Sequence, residues 1–180
     1  MCETTVTVVT TYLELCDPAH FLPAYSADPD LRIIQAHVVL VPFYRFLYDA
    51  VGREFQWVDR LAWSDAQLHA HLARPSISLH VLYLRGTPAG YIELETAGEE
   101  PGTEVAYFGV IPQFHGRGLG KHLLSYGVQS AFAAGAERVW LHTCTLDGPH
   151  ALANYQARGF VAYRTTTHQQ VVCNSVHPQQ

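Results

Sequence analysis

The chain has 180 residues, 48% of them hydrophobic and 15% charged, with a formal net charge of −5. That length suits one domain with a proper core, and the composition excludes a disordered chain. No apolar run approaches the ~20 residues a bilayer span requires, and an acidic balance with scattered Lys and Arg argues against a nucleic-acid surface.

No charged-then-apolar leader follows Met1, which makes the cytoplasm the expected location. Cys2, Cys16, Cys144 and Cys173 form no short pairing motif, so free thiols are expected. The β-branched run from Thr4 to Leu15 predicts a first strand. Pro18, Pro23 and Pro29 make 18–29 a loop. Residues 31–41 are β-branched enough for a strand. Pro42 to Val51 reads as a helix with Pro42 in its first turn and Gly52 as its stop. A second helix runs over 64–73, capped by Ser64 or Asp65 and ended by Pro75. Phe43, Tyr44, Phe46, Tyr48, Phe55, Trp57 and Trp63 crowd this stretch, and such a stripe reads first as core. A few of these rings could instead wall a pocket.

Next come a strand over 79–85, a turn over 86–90 and a strand over 91–95, then an apolar strand over 105–111. Gln113-Phe-His-Gly-Arg-Gly-Leu-Gly-Lys121 follows, opening an amphipathic helix over 119–132. Gly116, Gly118 and Gly120 let backbone N–H groups approach a ligand closely. At a helix N-terminus those groups form an anion site, with Arg117 and Lys121 adding positive charge. The loop reads as a diphosphate cradle. It is not a P-loop, because His122 stands where Ser or Thr should follow Gly-Lys, and its Gly-x-Gly-x-Gly spacing is not the dinucleotide fingerprint. A strand over 138–144, a helix over 147–158 with Asp147 as N-cap, the stop Gly159, and a strand from Phe160 follow. Residues 169–173 suggest further strand, and the tail beyond reads as frayed.

Gln-x-x-Gly-x-Gly between strand and helix resembles the pyrophosphate loop of the Gcn5-related N-acetyltransferase (GNAT) family. Helix, Tyr155, three residues, Gly159-Phe160 and strand is similar to that family's second signature, and the hairpin before the cofactor strand agrees. The resemblance covers about residues 77–168. It implies an α/β fold with a mixed, mostly antiparallel sheet of six or seven strands and about four helices, splayed after Val110 to admit a pantetheine arm. One domain over 1–180 is expected, with acceptor-side helices within about 18–75.

The resemblance also implies acetyl-coenzyme A as cosubstrate, with Phe108, Val110, His115, Gly116, Arg117, Gly118, Gly120, Lys121 and Asn154 as its contacts. The backbone N–H near Phe108 or Val110 would bind the thioester oxygen, and Tyr155 would protonate the departing thiolate. Glu104 falls where the histone-acetylating branch carries its glutamate base, with Glu93 and His142 in reserve. Asp147 departs from the family pattern, which often has an asparagine there; a carboxylate cannot donate to coenzyme A. The expected activity is acetyl transfer to a small-molecule amine. A non-catalytic coenzyme A sensor and a protein or peptide acetyltransferase are the alternatives, and a homodimer is compatible with either. The eleven histidines show no tight ligand pairing, so no metal is expected.

Overall fold

The computed structural model describes residues 2–96 and 98–174, and for residues 2, 3, 173 and 174 the backbone alone. The expected tail and the thiols of Cys2 and Cys173 lie outside the described positions; Cys16 and Cys144 are free. The elements run β1 (Cys2–Leu15), β2 (Leu31–Gln35), α1 (Val41–Gly52), α2 (Asp65–Leu72), β3 (Ile77–Leu84), β4 (Thr87–Glu95), β5 (Thr103–Val110), α3 (Leu119–Ala133), β6 (Val139–Cys144), α4 (Ala151–Gln156) and β7 (Val161–Asn174).

Seven strands form one sheet in the order β2-β3-β4-β5-β6-β1-β7, antiparallel everywhere except between β5 and β6. The mixed α/β architecture matches the expectation. Its details correct several readings. The apolar run at 31–41 is strand only over 31–35, with α1 and α2 after it as read. The β3–β4 turn is Arg85-Gly86 alone, both with positive φ, rather than a turn over 86–90. Gly90 lies inside β4, where a Cβ would stand 2.5 Å from the Gly109 carbonyl oxygen of β5. Residues 169–173 extend β7 rather than forming a separate strand.

Each face of the sheet carries its own core. On one face α1 presents Tyr44, Leu47, Tyr48 and Val51, an i, i+3, i+4, i+7 stripe, against Leu79, Val81 and Tyr91 of the sheet. On the other, Leu123, Leu124 and Val128 of α3 pack on Ile92, Leu13 and Leu141. Burying each such leucine contributes about 1.5–3 kcal/mol. Not all the aromatic stretch is core: Tyr44 and Tyr48 are buried, whereas Phe46 is exposed and Trp57 and Trp63 are half-buried. α2 begins with a reciprocal capping box, in which Ser64 Oγ accepts from Gln67 N–H at 3.3 Å and Gln67 Oε1 accepts from Ser64 N–H at 2.8 Å.

β5 and β6 pair only at Thr103–Val139 and Glu104–Trp140. The sheet therefore splays after Glu104, six residues before the expected point. A shift in the β4–β5 register between Glu93 and Leu94 sets Ala106 as the extra residue on β5, just past that last pair.

Candidate active site

The splay opens a cleft of about 910 Å3 between β5 on one side and β6 and α4 on the other. Ile111 donates its N–H to Ala89 O on β4, at 2.8 Å. By the two-residue period of a strand, Val110 and Phe108 turn their backbone polar groups the other way, into the opening. Both residues line the cleft.

The cradle lies at the end of β5. Gly116 and Gly118 have φ of +75° and +72°, and Gly118 is the N-cap of α3 with no side-chain cap. The first-turn N–H groups of Leu119, Gly120 and Lys121 have no carbonyl a turn earlier to bond, so they face outward with the positive end of the helix dipole. Gly116, Gly118, Gly120 and Lys121 line the cleft. His115 also borders it, but its ring is engaged: Nε2 donates to Val110 O at 2.7 Å and braces the loop against the strand. Arg117 is exposed, its guanidinium 5.8 Å from the Phe114 ring centroid, and it does not line the cleft.

Across the opening, α4 contributes Asn154 and Tyr155 to the lining. Tyr155 is buried between Phe108 and Phe160, with ring centroids 6.2 and 6.3 Å away. Burial and then the Asp147 carboxylate push its phenol up, so it holds its proton at neutral pH. Asp147 is not the cap of α4, which begins after His150. Its Oδ2 instead accepts from Thr143 Oγ1 at 2.7 Å and Cys144 N–H at 2.9 Å, closing the turn that follows β6. The mouth is walled by the α1–α2 connection, where Phe55, Trp57 and Asp59 line the cleft. A wall that sequence reading did not foresee comes from β1 and β7, through Val8, Thr10, His168 and Gln170.

A second, polar pocket of about 590 Å3 includes Arg60, Trp63, His71, Glu95, Glu104 and Trp140 in its lining. Beneath it Glu93 is completely buried and accepts from Tyr44 Oη at 2.7 Å. His71 Nε2 lies 2.9 Å from the same carboxylate, and Arg60 Nη2 3.4 Å. The Arg60 guanidinium also lies 4.0 Å over the Trp63 ring. Glu93, expected in reserve as a base, borders neither cavity. Its alternation with Leu94 in β4 put it on the same face as Tyr91, but nothing in the local pattern named Arg60 and His71 as its partners.

Glu104 and His142, the other two candidates, stand together: His142 Nδ1 is 3.7 Å from Glu104 Oε1. Glu104 lines only the polar pocket, whereas His142 borders both cavities. Among the described residues no group of three or more His, Cys, Asp or Glu could hold a metal ion. No described helix is long and apolar enough to cross a membrane.

A splayed, mostly antiparallel sheet with an outward-facing glycine cradle at the end of its inner strand defines the acetyltransferase type of α/β fold. The chain belongs to the acetyltransferase (GNAT) family, whose model matches residues 44–160. Solved structures agree on the fold. A putative GNAT acetyltransferase from Novosphingobium aromaticivorans is 20% identical with a TM-score of 0.62, over 94% of this chain and 66% of its own. A GCN5-related N-acetyltransferase from Kribbella flavida is 20% identical with a TM-score of 0.63, over 93% and 59%. An aminoglycoside acetyltransferase from an uncultured soil metagenomic sample, in complex with trehalose, is 19% identical with a TM-score of 0.63, over 86% and 100%. The chain thus spans less than two thirds of the length of the first two. A search of curated protein sequences gives no match.

Proposed function

We propose that this protein transfers acetyl from acetyl-coenzyme A to an amine of a small molecule, directly and within a ternary complex. The observation that carries the reading is the junction of two cavities at Glu104 and His142: a long cleft ending in an anion cradle, and a polar pocket of small-molecule size. The residues present suit coenzyme A. Positive-φ glycines and free first-turn N–H groups suit its pyrophosphate, with Lys121 adding charge. The open edge of β5 suits the pantetheine amide and, at Phe108 or Val110, the thioester oxygen as charge develops on it.

Aminolysis of a thioester needs the amine deprotonated and the leaving thiolate protonated. Tyr155 is the acid in this reading, because its buried phenol keeps its proton while bordering the cleft. The Glu104–His142 pair supplies the base. A pocket of this size suits a small acceptor better than a folded protein surface.

Titration calorimetry with coenzyme A, followed by thiol-release assays against a panel of small amines and peptides, tests this. Micromolar coenzyme A affinity and turnover with small amines are expected. Binding without turnover on any acceptor would leave a sensor, and preference for peptides would reassign the acceptor.

A further inference from the structure

The two members of the pair at the junction are not equivalent. The Glu104 side chain is 14% exposed and borders only the polar pocket; that of His142 is 47% exposed and, alone among the described residues, borders both cavities. The cause lies in the splay. Glu104 is in the last pair that holds β5 to β6, whereas His142 is two residues further along β6, where the strands have parted. A thioester set against the open edge of β5 lies on the cleft side of this junction. An amine that crosses from the polar pocket to that thioester passes the imidazole, whereas Glu104 faces the polar pocket alone.

The ring's orientation points the same way. Nδ1 is the nitrogen nearest Glu104, at 3.7 Å, a few tenths of an ångström beyond a hydrogen bond and well within reach of the carboxylate's charge. With its proton on Nδ1 and facing the carboxylate, the ring keeps the Nε2 lone pair for a proton from outside. Tyr12, directly opposite His142 on β1 with rings 5.6 Å apart, limits how far the imidazole can swing.

We propose that His142 is the general base of the acyl transfer and that Glu104 is a positioning residue behind it. The inference rests on the acetyltransferase reading above. As the amine nitrogen bonds to the carbonyl carbon, its proton passes to Nε2 and the imidazolium is stabilised by Glu104. The C–S bond breaks, and the thiolate takes the phenol proton of Tyr155. The imidazolium proton then returns through water to the Tyr155 phenolate, which leaves amide, free thiol and an unchanged enzyme. The charged and titratable groups around the ring are Glu104 on β5, Tyr12 on β1 with Arg164 of β7 3.8 Å over its ring, and Asp147 and His168 along the same cleft. Arg164 is held in turn by Glu100, at 2.6 Å. Glu104 is thus the carboxylate closest to Nδ1, and its removal should act on His142 directly.

The test compares wild type, His142→Gln, Glu104→Gln and Glu104→Asp in two measurements: thiol release with kcat and KM resolved across pH, and coenzyme A calorimetry. His142→Gln should lower kcat/KM near pH 7 by about 100-fold with coenzyme A affinity unchanged, and recover part of the loss at high pH. Glu104→Gln should lower it by about 10-fold. That loss should fall on kcat, with the KM values for thioester and amine unchanged, and Glu104→Asp, which restores a carboxylate, should recover part of it. A His142→Gln enzyme as active as wild type, beside an inert Glu104→Gln, would overturn the assignment in favour of Glu104. A Glu104→Gln enzyme with wild-type kcat, or a loss that falls on KM alone, would overturn the coupling. Wild-type protein that binds coenzyme A but acylates no amine would instead remove the transfer reading itself, a result distinct from an active enzyme indifferent to residue 142.

Discussion

His115 is tied to Val110: its Nε2 donates to the Val110 carbonyl oxygen at 2.7 Å. The bond joins the first residue after the Pro112–Phe114 turn to the last residue of the splayed strand, and so holds the phosphate cradle in a set position relative to the thioester end of the cleft. His115→Ala should leave the fold intact, since the residue is exposed. It should weaken coenzyme A binding by about 5- to 10-fold, the worth of about one net hydrogen bond, as measured by calorimetry. His115→Asn, whose amide can donate to the same oxygen, should recover part of that loss.

Gly118 is the N-cap of α3 at φ +72°, and a Cβ there would stand 2.9 Å from Lys121 Cε. The lysine can move aside, but the left-handed backbone cannot be relieved so cheaply for a β-branched residue. Gly118→Ile should abolish coenzyme A binding, both by strain and by filling the space the pyrophosphate needs. Arg117→Ala should be mild by comparison, because Arg117 lies outside the lining and acts as a distant charge. Its small effect should fade as salt is raised.

Tyr155→Phe keeps the ring between Phe108 and Phe160 and removes only the hydroxyl. Coenzyme A affinity and thermal stability should hold while kcat falls by about 100-fold, the scale of general acid catalysis. An unchanged kcat would mean the thiolate leaves unprotonated or takes its proton from water.

Gly127 faces Ile92 so closely that a Cβ on the glycine would overlap Ile92 Cδ1. Alanine is the better helix former by about 1 kcal/mol, yet overpacking a buried site costs about 1–3 kcal/mol, so Gly127→Ala should lower Tm. Adding Ile92→Val, which removes the atom in the way, should restore most of the loss in a denaturation series.

His80 is buried on β3, its Nδ1 is without a partner, and burial and then His37 hold its pKa below the usual histidine value. The folded state therefore resists protonation that the unfolded chain accepts near pH 6.5. Above that pH both states are neutral and no penalty applies. As pH falls below it and on through the depressed folded value, stability is lost. His80→Phe should flatten the fall of Tm between pH 7.5 and 5; an unchanged slope would place the acid sensitivity elsewhere.

The features legible in the sequence were those set by a few neighbouring residues. The cradle could be read from Gly116, Gly118 and Gly120 because positive φ and a helix start are local matters of sterics. The Ser64 cap, the α1 stripe and the stop at Gly159 were readable for the same reason. What joins distant segments was not. The insertion of β1 between β6 and β7, which adds a wall to the cleft, is a choice among pairings that leave each strand's own pattern unchanged. The splay at Glu104 rather than Val110 lies beside a register shift between β4 and β5 that leaves no mark in either strand's composition. Asp147 reads as an N-cap until Thr143 and the Cys144 N–H are found to hold it. Glu93 looks available until Tyr44, Arg60 and His71 close over it. Local backbone preference thus determined the glycine cradle and the kind of fold. Long-range pairing and desolvation, which no window of sequence contains, decided which ionisable groups reach the cleft and left His142 bordering both cavities.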